Sequence, residues 1–324
     1  MTSAASRRVG ALARHVGATF KLPVRAIEIA ETSCDAGGDV TLFANARVGR
    51  NARVVETPFA SWATRSAEFA DRAGPRDFLA SFEPGTVRET VALMMHTLSE
   101  KKADESASSY AASCLPESFR FVDACLNEAD VSALAGTQTE SRARSRGEFV
   151  RTLSAMSNVP VADIAWALGA VSSRAMKSAA VPEFALVPGC DLLDHHDEPN
   201  CEVRRDGGST PDVYVATTRD IAPGEALTIS YGNLGNDRAL RMYGFSDVAF
   251  FKNDTRRSGV HPSNEAAFAK TLDSQSLDEW LADRSSWCRD VPEKGDDDEW
   301  FRHVSILRRG QTEIIDAYVR ALDC

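Results

Sequence analysis

Phe184-Ala185-Leu186-Val187-Pro188-Gly189-Cys190-Asp191-Leu192-Leu193-Asp194-His195-His196-Asp197 sets a dense polar cluster directly behind an apolar segment. Asp and His are ordinary ligands for zinc or iron, and Asp191 and His195 would share a face if the segment were helical. No third ligand is specified elsewhere, so a helix N-terminus or turn with solvated acids is the better reading of the spacing alone. A second stretch, Gly224-Glu225-Ala226-Leu227-Thr228-Ile229-Ser230-Tyr231-Gly232, is followed by Asn236 and then Leu240-Arg241-Met242-Tyr243-Gly244-Phe245. A lone tyrosine at a strand end is usually half-buried packing. Two Tyr-Gly dipeptides close together ask for more, because glycine lets a ligand or a crossing chain approach the backbone.

Outward from these stretches the chain reads β, α, β, α. Val24 to Ile29 alternates as a strand, a Gly-containing turn follows at Cys34 to Asp39, and Val40 to Ala44 and Ala52 to Val55 are two further strands. From about Phe78 to Ala180 the period becomes helical. Val87, Val91, Met94, Met95 and Leu98 recur at helix spacing, and Pro160 opens a helix carrying Ile164, Trp166, Ala167, Ala170 and Val171. Asp104 to Ser113 and Thr137 to Arg146 are polar and are expected as exposed loops. Short strands return at Phe184–Val187, Val213–Thr218 and Ala226–Ser230, with a turn at Ala222-Pro223-Gly224-Glu225. After Phe251 helices are expected again. An acidic loop or first turn is expected at Glu293–Glu299, before a final amphipathic helix from Trp300 to Leu322 that uses Ile306, Leu307, Ile314, Ile315, Tyr318 and Leu322.

The chain of 324 residues is 43% apolar and 26% charged, an ordinary globular mixture with length for about two domains. The net charge of −10 argues against a protein built mainly to grip phosphate backbones. The longest apolar runs, such as Val91 to Met95, fall far short of the roughly 20 residues of a membrane helix. Seven scattered cysteines without a Cys-x-x-Cys pair read as reduced thiols of a reducing compartment. The first 27 residues carry Arg7, Arg8, Arg14, Lys21 and Arg25 and no acid. That pattern fits either an organelle transit segment or an amphipathic helix with Val9, Leu12, Val16 and Phe20 on one face.

Taken together, the two stretches resemble the C-terminal half of a SET domain, most of all the Rubisco-methyltransferase-like group of protein methyltransferases. The resemblance is carried by Leu186-Val187-Pro188, Asp191, Asp194-His195, Gly224-Glu225, Tyr231-Gly232, Asn236, Leu240 and Tyr243-Gly244-Phe245. Val171-Ser172-Ser173-Arg174 is similar to the Ser-Arg step that ends the family's helical insertion. Ser109-Tyr110 through Leu115-Pro116 resembles its tyrosine-containing segment, and Arg308-Arg309-Gly310-Gln311 a segment of its C-terminal helices. The match is strong from about Tyr110 to Phe245 and weaker at both ends. Gly37-Gly38 and Leu42-Phe43-Ala44 fall near the family's glycine-containing cofactor loop, interrupted here by Asp39-Val40-Thr41. Residues from Leu12 onward can be laid on the family's leading helix, which favours the helix over the transit segment.

The resemblance implies an α+β fold, a SET-type β fold of short strands interrupted by a helical insertion and followed by a helical C-terminal domain. Its boundaries would be 1–22 for the N-terminal helix or transit segment, 23–252 for the SET domain with the insertion at about 78–180, and 253–324 for a short substrate-binding-like domain. It implies in-line transfer of a methyl group from S-adenosylmethionine to a protein lysine, with no metal. A lysine amine, with a reference pKa of about 10.4, must shed its proton to attack, and a narrow apolar channel favours the neutral form. Tyr231 would be the catalytic residue that orients the amine. Arg174, Asp191, Asp194, His195 and Gly38 would form the cofactor site, with Asp191 also anchoring the local fold, and Tyr243 and Phe245 would wall the lysine channel, where aromatic faces attract a methylated cation. For Tyr243 and Phe245 plain core packing stays open. Asp194 stands where the family has Asn, and an ionised Asp only accepts hydrogen bonds. The alternatives are a catalytically inactive SET-type peptide-binding module and, behind it, a metal-dependent enzyme on Asp191 and His195. The expected partner is a non-histone protein substrate, with histidine open as the acceptor, and neither nucleic acid nor membrane. The expected location is cytoplasm or chloroplast, with the nucleus also open.

Overall fold

Strand, helix and strand again follow one another along the chain. The computed structural model describes residues 4–31, 40–61, 63–64, 82, 86–103, 109–135, 137–181, 184–208, 210, 212–247 and 300–309. In chain order the elements are α1 (Ala4–His15), β1 (Ile27–Glu31), β2 (Val40–Ala44), β3 (Arg53–Thr57), β4 (Ala63–Thr64), α2 (Thr86–Ala103), α3 (Tyr110–Ser113), α4 (Arg120–Leu126), α5 (Glu128–Ala133), α6 (Gln138–Ser157), α7 (Val161–Arg174), β5 (Ala175–Met176), β6 (Ala185–Leu186), β7 (Asp194–His195), β8 (Cys201–Arg205), β9 (Val213–Thr217), β10 (Thr228–Ile229) and α8 (Asn236–Tyr243). Residues 300–309 are also helical. The chain forms two compact units, one of Met1–Glu117 with Ser154–Tyr231, the other of Ser118–Leu153 with Gly232–Cys324.

In the first unit β1 pairs with β2, β3 with β9 and β9 with β8, and β6 with both β4 and β5, all antiparallel. β10 and β7 pair in parallel, Thr228 opposite Asp194 and Ile229 opposite His195. The β-branched run Val213–Thr217 accounts for β9 as the middle strand of its three, with Val213, Val215 and Thr217 buried. The free edge of β2 meets the turn before β10. The Leu227 amide donates to the Leu42 carbonyl at 2.8 Å, and the Gly224 amide to the Ala44 carbonyl at 2.6 Å. Leu12 of α1 and Phe20 just after it are fully buried in one core with Leu42, Val55, Leu192, Leu193, Val215 and Leu227. Burial of such a side chain is worth about 1.5–3 kcal/mol, so α1 is fastened into this core by two large anchors.

Two segments expected as exposed loops are helical. Ser109 caps α3 by accepting from the Ala112 amide, and Tyr110 packs against the core rather than facing solvent; residues 104–108 lie outside the described ones. The polar stretch from Thr137 to Arg146 is the first half of α6. Its buried positions, Thr139, Ala143, Gly147, Val150 and Leu153, form a stripe one residue wide. A stripe that narrow hides the helical period, while the Arg144–Glu140 pair one turn apart and the helix-forming Arg and Glu residues support the helix locally.

In the second unit Phe121, Cys125, Val131, Leu134, Ala143, Leu240, Trp300, Val304 and Leu307 form the core. Trp300 donates its indole N–H to the Asp130 carbonyl at 3.2 Å. The Arg308 guanidinium donates to the carbonyls of Ala133 and Ala135, placing a cation at the C-terminus of α5 where the helix dipole favours it. Of the apolar face expected for the last helix, Leu307 is buried and Ile306 partly so, and Ile314, Ile315, Tyr318 and Leu322 lie outside the described residues. The expected boundary near residue 252 also lies outside them, as do the acidic stretch 293–299 and the glycine segment with Gly38.

Candidate active site

Pro188 to Leu193 runs as an irregular turn with a single 3-10 turn at Cys190–Leu192, so its carbonyls lack the partners a helix or sheet supplies. Side chains from several elements supply them. Thr57 of β3 donates to the Pro188 carbonyl at 2.8 Å, Arg174 at the end of α7 to that of Asp191 at 2.7 Å, and Thr41 of β2 to that of Leu192 at 2.8 Å. The Tyr231 hydroxyl donates to the Leu193 carbonyl at 2.6 Å. Gly189 enters the turn at φ +82°, against the ring of Phe20.

The carboxylate of Asp191 points inward. It accepts from the Tyr110 hydroxyl at 2.6 Å and from the Gly189 amide at 3.0 Å. Burial pushes its pKa up, against the pull of Arg174, Tyr110, Arg8 and the Gly189 amide. Burial also raises the Tyr110 phenol well above its ordinary value, aided by the Asp191 charge, and lifts the Cys190 thiol to about 12. The phenol and the thiol are thereby held in their neutral forms.

His195 and Tyr231 lie side by side, ring centres 5.5 Å apart and planes inclined by 33°. The Tyr231 amide donates to His195 Nδ1 at 3.1 Å, and His195 Nε2 stands 3.5 Å from Asp197 Oδ1. Burial lowers the His195 pKa, partly offset by Asp197. His15, against Tyr110 on the same unit, is lowered by burial and by Arg14. A histidine held neutral in the fold is protonated first in the unfolded chain. Stability should therefore rise with pH up to the ordinary histidine value near 6.5 and fall on acidification below it. Melting curves between about pH 7.5 and 5.5 should show the midpoint dropping with acid, and His15→Gln should flatten the slope.

The residues expected from the sequence divide between the two units. Arg174, Asp191, Asp194, His195 and Tyr231 belong to the first unit, around the 188–195 turn and the β7–β10 pair. Tyr243, at the end of α8, and Phe245 belong to the second unit, where their rings are 6.2 Å apart. The shared helix face imagined for Asp191 and His195 does not exist, because the first sits in a 3-10 turn and the second in β7. Tyr110 and Gly189 both donate to Asp191 Oδ1, and among the described residues no group of three His, Cys, Asp or Glu is placed to hold a metal. Tyr110 is part of the turn's support although its segment reads as polar. Asn200 is another support without a local signal. It is buried, accepts from the Thr228 amide and donates to the Ala226 carbonyl and Glu225, tying the approach to β10.

A β fold of short strand pairs, with a tyrosine tied to a parallel two-strand pair and a helical insertion between its halves, is the arrangement of a SET domain. The SET domain family matches residues 41–232, more than half of the chain, and the chain belongs to that family. It is 23% identical over 256 residues to the chloroplastic [fructose-bisphosphate aldolase]-lysine N-methyltransferase of Arabidopsis thaliana, covering 72% of this chain and 51% of that protein. The chain therefore spans about half the length of this relative. In fold it is similar to the SET domain of LSMT bound to lysine and AdoHcy, with TM-score 0.68 and 14% identity over 98% of this chain and 91% of that one. Rubisco LSMT bound to AdoMet gives TM-score 0.66 and 15% identity over 100% and 92%.

Proposed function

We propose that the protein is an S-adenosylmethionine-dependent protein-lysine N-methyltransferase with Tyr231 as its catalytic residue. The observation that carries the reading is the double tether of Tyr231. Its amide is held by His195 and its hydroxyl proton is directed to the Leu193 carbonyl, so the phenol oxygen meets an incoming amine as an acceptor. Orientation of a reacting amine is the main catalytic contribution such a site makes. Membership of the SET family and the lysine methyltransferase named among the relatives support the activity.

The residues around the 188–195 turn are the ones proposed to hold the cofactor. Arg174, which donates to the Asp191 carbonyl, and Asp194 and His195 at the end of the turn are proposed as its contacts, a cation, an anion and a flat ring. S-adenosylmethionine supplies an electrophilic methyl group. Gly38 is proposed for the same site from the sequence alone. Tyr243 and Phe245 are proposed as walls of the lysine channel, excluding water so that the amine loses its proton more readily. Asp191 is proposed as the anchor of the turn, since both of its described carboxylate contacts are internal.

We place the N-terminal helix, residues 1–22, with the SET domain at 23–252, and assign 253–324 to substrate docking. The substrate is proposed to be a non-histone protein, with a histidine acceptor as the variant reading. The location is proposed as chloroplast or cytoplasm, the first supported by the chloroplastic relative. Asp194 favours one second reading, an inactive SET-type peptide-binding module, because an acid there repels the cofactor's carboxylate. Calorimetric titration of S-adenosylmethionine into the purified protein separates the two. One-to-one saturation, followed by transfer of labelled methyl to lysine in a protein extract, is expected. Absence of binding at millimolar cofactor by folded protein would leave the binding module.

A further inference from the structure

His195 Nδ1 accepts the Tyr231 amide at 3.1 Å, and an atom that accepts carries no proton. A neutral His195 therefore carries its proton on Nε2. That atom is buried, the side chain being 2% exposed, and it faces Asp197 Oδ1 at 3.5 Å, a distance at which the carboxylate acts more by charge than by a strong hydrogen bond. We propose that Asp197 is a positioning residue for Tyr231, holding the His195 ring in its Nε2–H form so that Nδ1 stays open to the Tyr231 amide. A carboxylate that selects one tautomer of a working histidine is a general device. Here it would act one step further out, because His195 places the catalytic side chain rather than moving a proton itself. The inference rests on the methyltransferase reading only in calling Tyr231 catalytic.

Two considerations separate this role from simple packing. Asp197 is an exposed residue with a partly covered side chain, so its loss removes little buried surface. The tautomer, by contrast, decides whether the Tyr231 amide keeps its His195 partner. With the proton on Nδ1, two N–H groups would face each other and the phenol would lose one of its two tethers. The groups acting on the ring are Asp197 and His196 on its own segment, the Ile229 backbone of β10, which favours its protonated form, and the Tyr231 phenol ring beyond β10.

The test uses the full chain. Nitrogen-15 spectra of histidine-labelled protein, with His195 assigned by its loss in His195→Gln, read the tautomer without turnover. The wild type should show the Nε2–H form, and Asp197→Asn a mixture of both forms. In methyl transfer, Asp197→Asn should lower kcat by about tenfold or more with KM, cofactor affinity and melting temperature held, and Asp197→Glu should restore part of the rate. Removing the carboxylate also disfavours the imidazolium, so the acid limb of the rate profile should move to lower pH. A wild-type His195 in the Nδ1–H form overturns the proposal, as does an Asp197→Asn protein with unchanged tautomer and kcat. Because the spectra require no methyl acceptor, failure of this proposal is distinguishable from failure of the methyltransferase reading.

Discussion

Tyr231→Phe is expected to lower methyl transfer by roughly 100- to 1000-fold, the range typical of removing one preorganised polar contact at a reacting centre. The substitution keeps the ring beside His195 and the amide tether, and removes only the hydroxyl. Two things are lost with it. The amine loses its acceptor, and the Leu193 carbonyl loses the donor at 2.6 Å. Leaving the carbonyl of the fully buried Leu193 without its donor costs about 1–3 kcal/mol. In a unit of this size that corresponds to a drop of a few degrees in melting temperature, so the variant should stay folded at assay temperature. Cofactor titration should be nearly unchanged, which separates a catalytic defect from a binding defect. A variant that retains full rate would remove Tyr231 from the chemistry, and one that fails to bind cofactor would make the hydroxyl a binding group.

Gly189→Ala should destabilise the first unit severely, by about 2–5 kcal/mol, because a backbone cost and a packing cost fall on the same atom. A non-glycine residue at φ +82° costs roughly 1–2 kcal/mol from backbone sterics alone. The new Cβ would also stand 2.7 Å from one ring carbon of Phe20, 2.9 Å from another and 3.0 Å from a Val55 methyl. Those atoms belong to the buried core and cannot swing away, and overpacking of this kind adds about 1–3 kcal/mol. Gly224→Ala is the matched control. Its φ is +81°, but nothing lies within 4 Å of the added carbon, so it should cost only the backbone share, about 1–2 kcal/mol. Urea unfolding of the two variants measures the difference directly. Equal losses would mean that Phe20 yields, and that the N-terminal anchor is looser than its burial implies.

Several elements lie where residue order alone puts them. β2 falls where alternation and β-branching place it, at Val40–Ala44, and β9 ends at Thr217, one residue before the end of the β-branched run at Thr218. The helix after Pro160 is equally plain, since its apolar positions cover a broad face. α6 is not legible, because only one residue per turn is buried along it, and a polar run with so thin a stripe looks like a loop. Tyr110 is hidden for a related reason. Its segment is polar, and its value lies in a carboxylate 81 residues away.

For the site, the motif order Leu186-Val187-Pro188, Asp191, Asp194-His195, Tyr231-Gly232 is a property of the sequence and points to the SET family without any coordinates. Periodicity, turn chemistry and motif order act over a few residues, and one strand of text contains them. What the text does not contain is which donor meets which acceptor. Asp191 turns inward to Tyr110 and Gly189, Thr41, Thr57 and Arg174 close the carbonyls of the turn, and His195 gives its Nδ1 to the Tyr231 amide. All but the short Asp191–Gly189 contact join residues brought together only when β2, β3, α3, α7 and β10 pack around one core. The turn's own backbone bonds leave the carbonyls of Pro188, Asp191, Leu192 and Leu193 to side chains from elsewhere, so the tertiary structure determines which side chains satisfy them and thereby where Tyr231 is held.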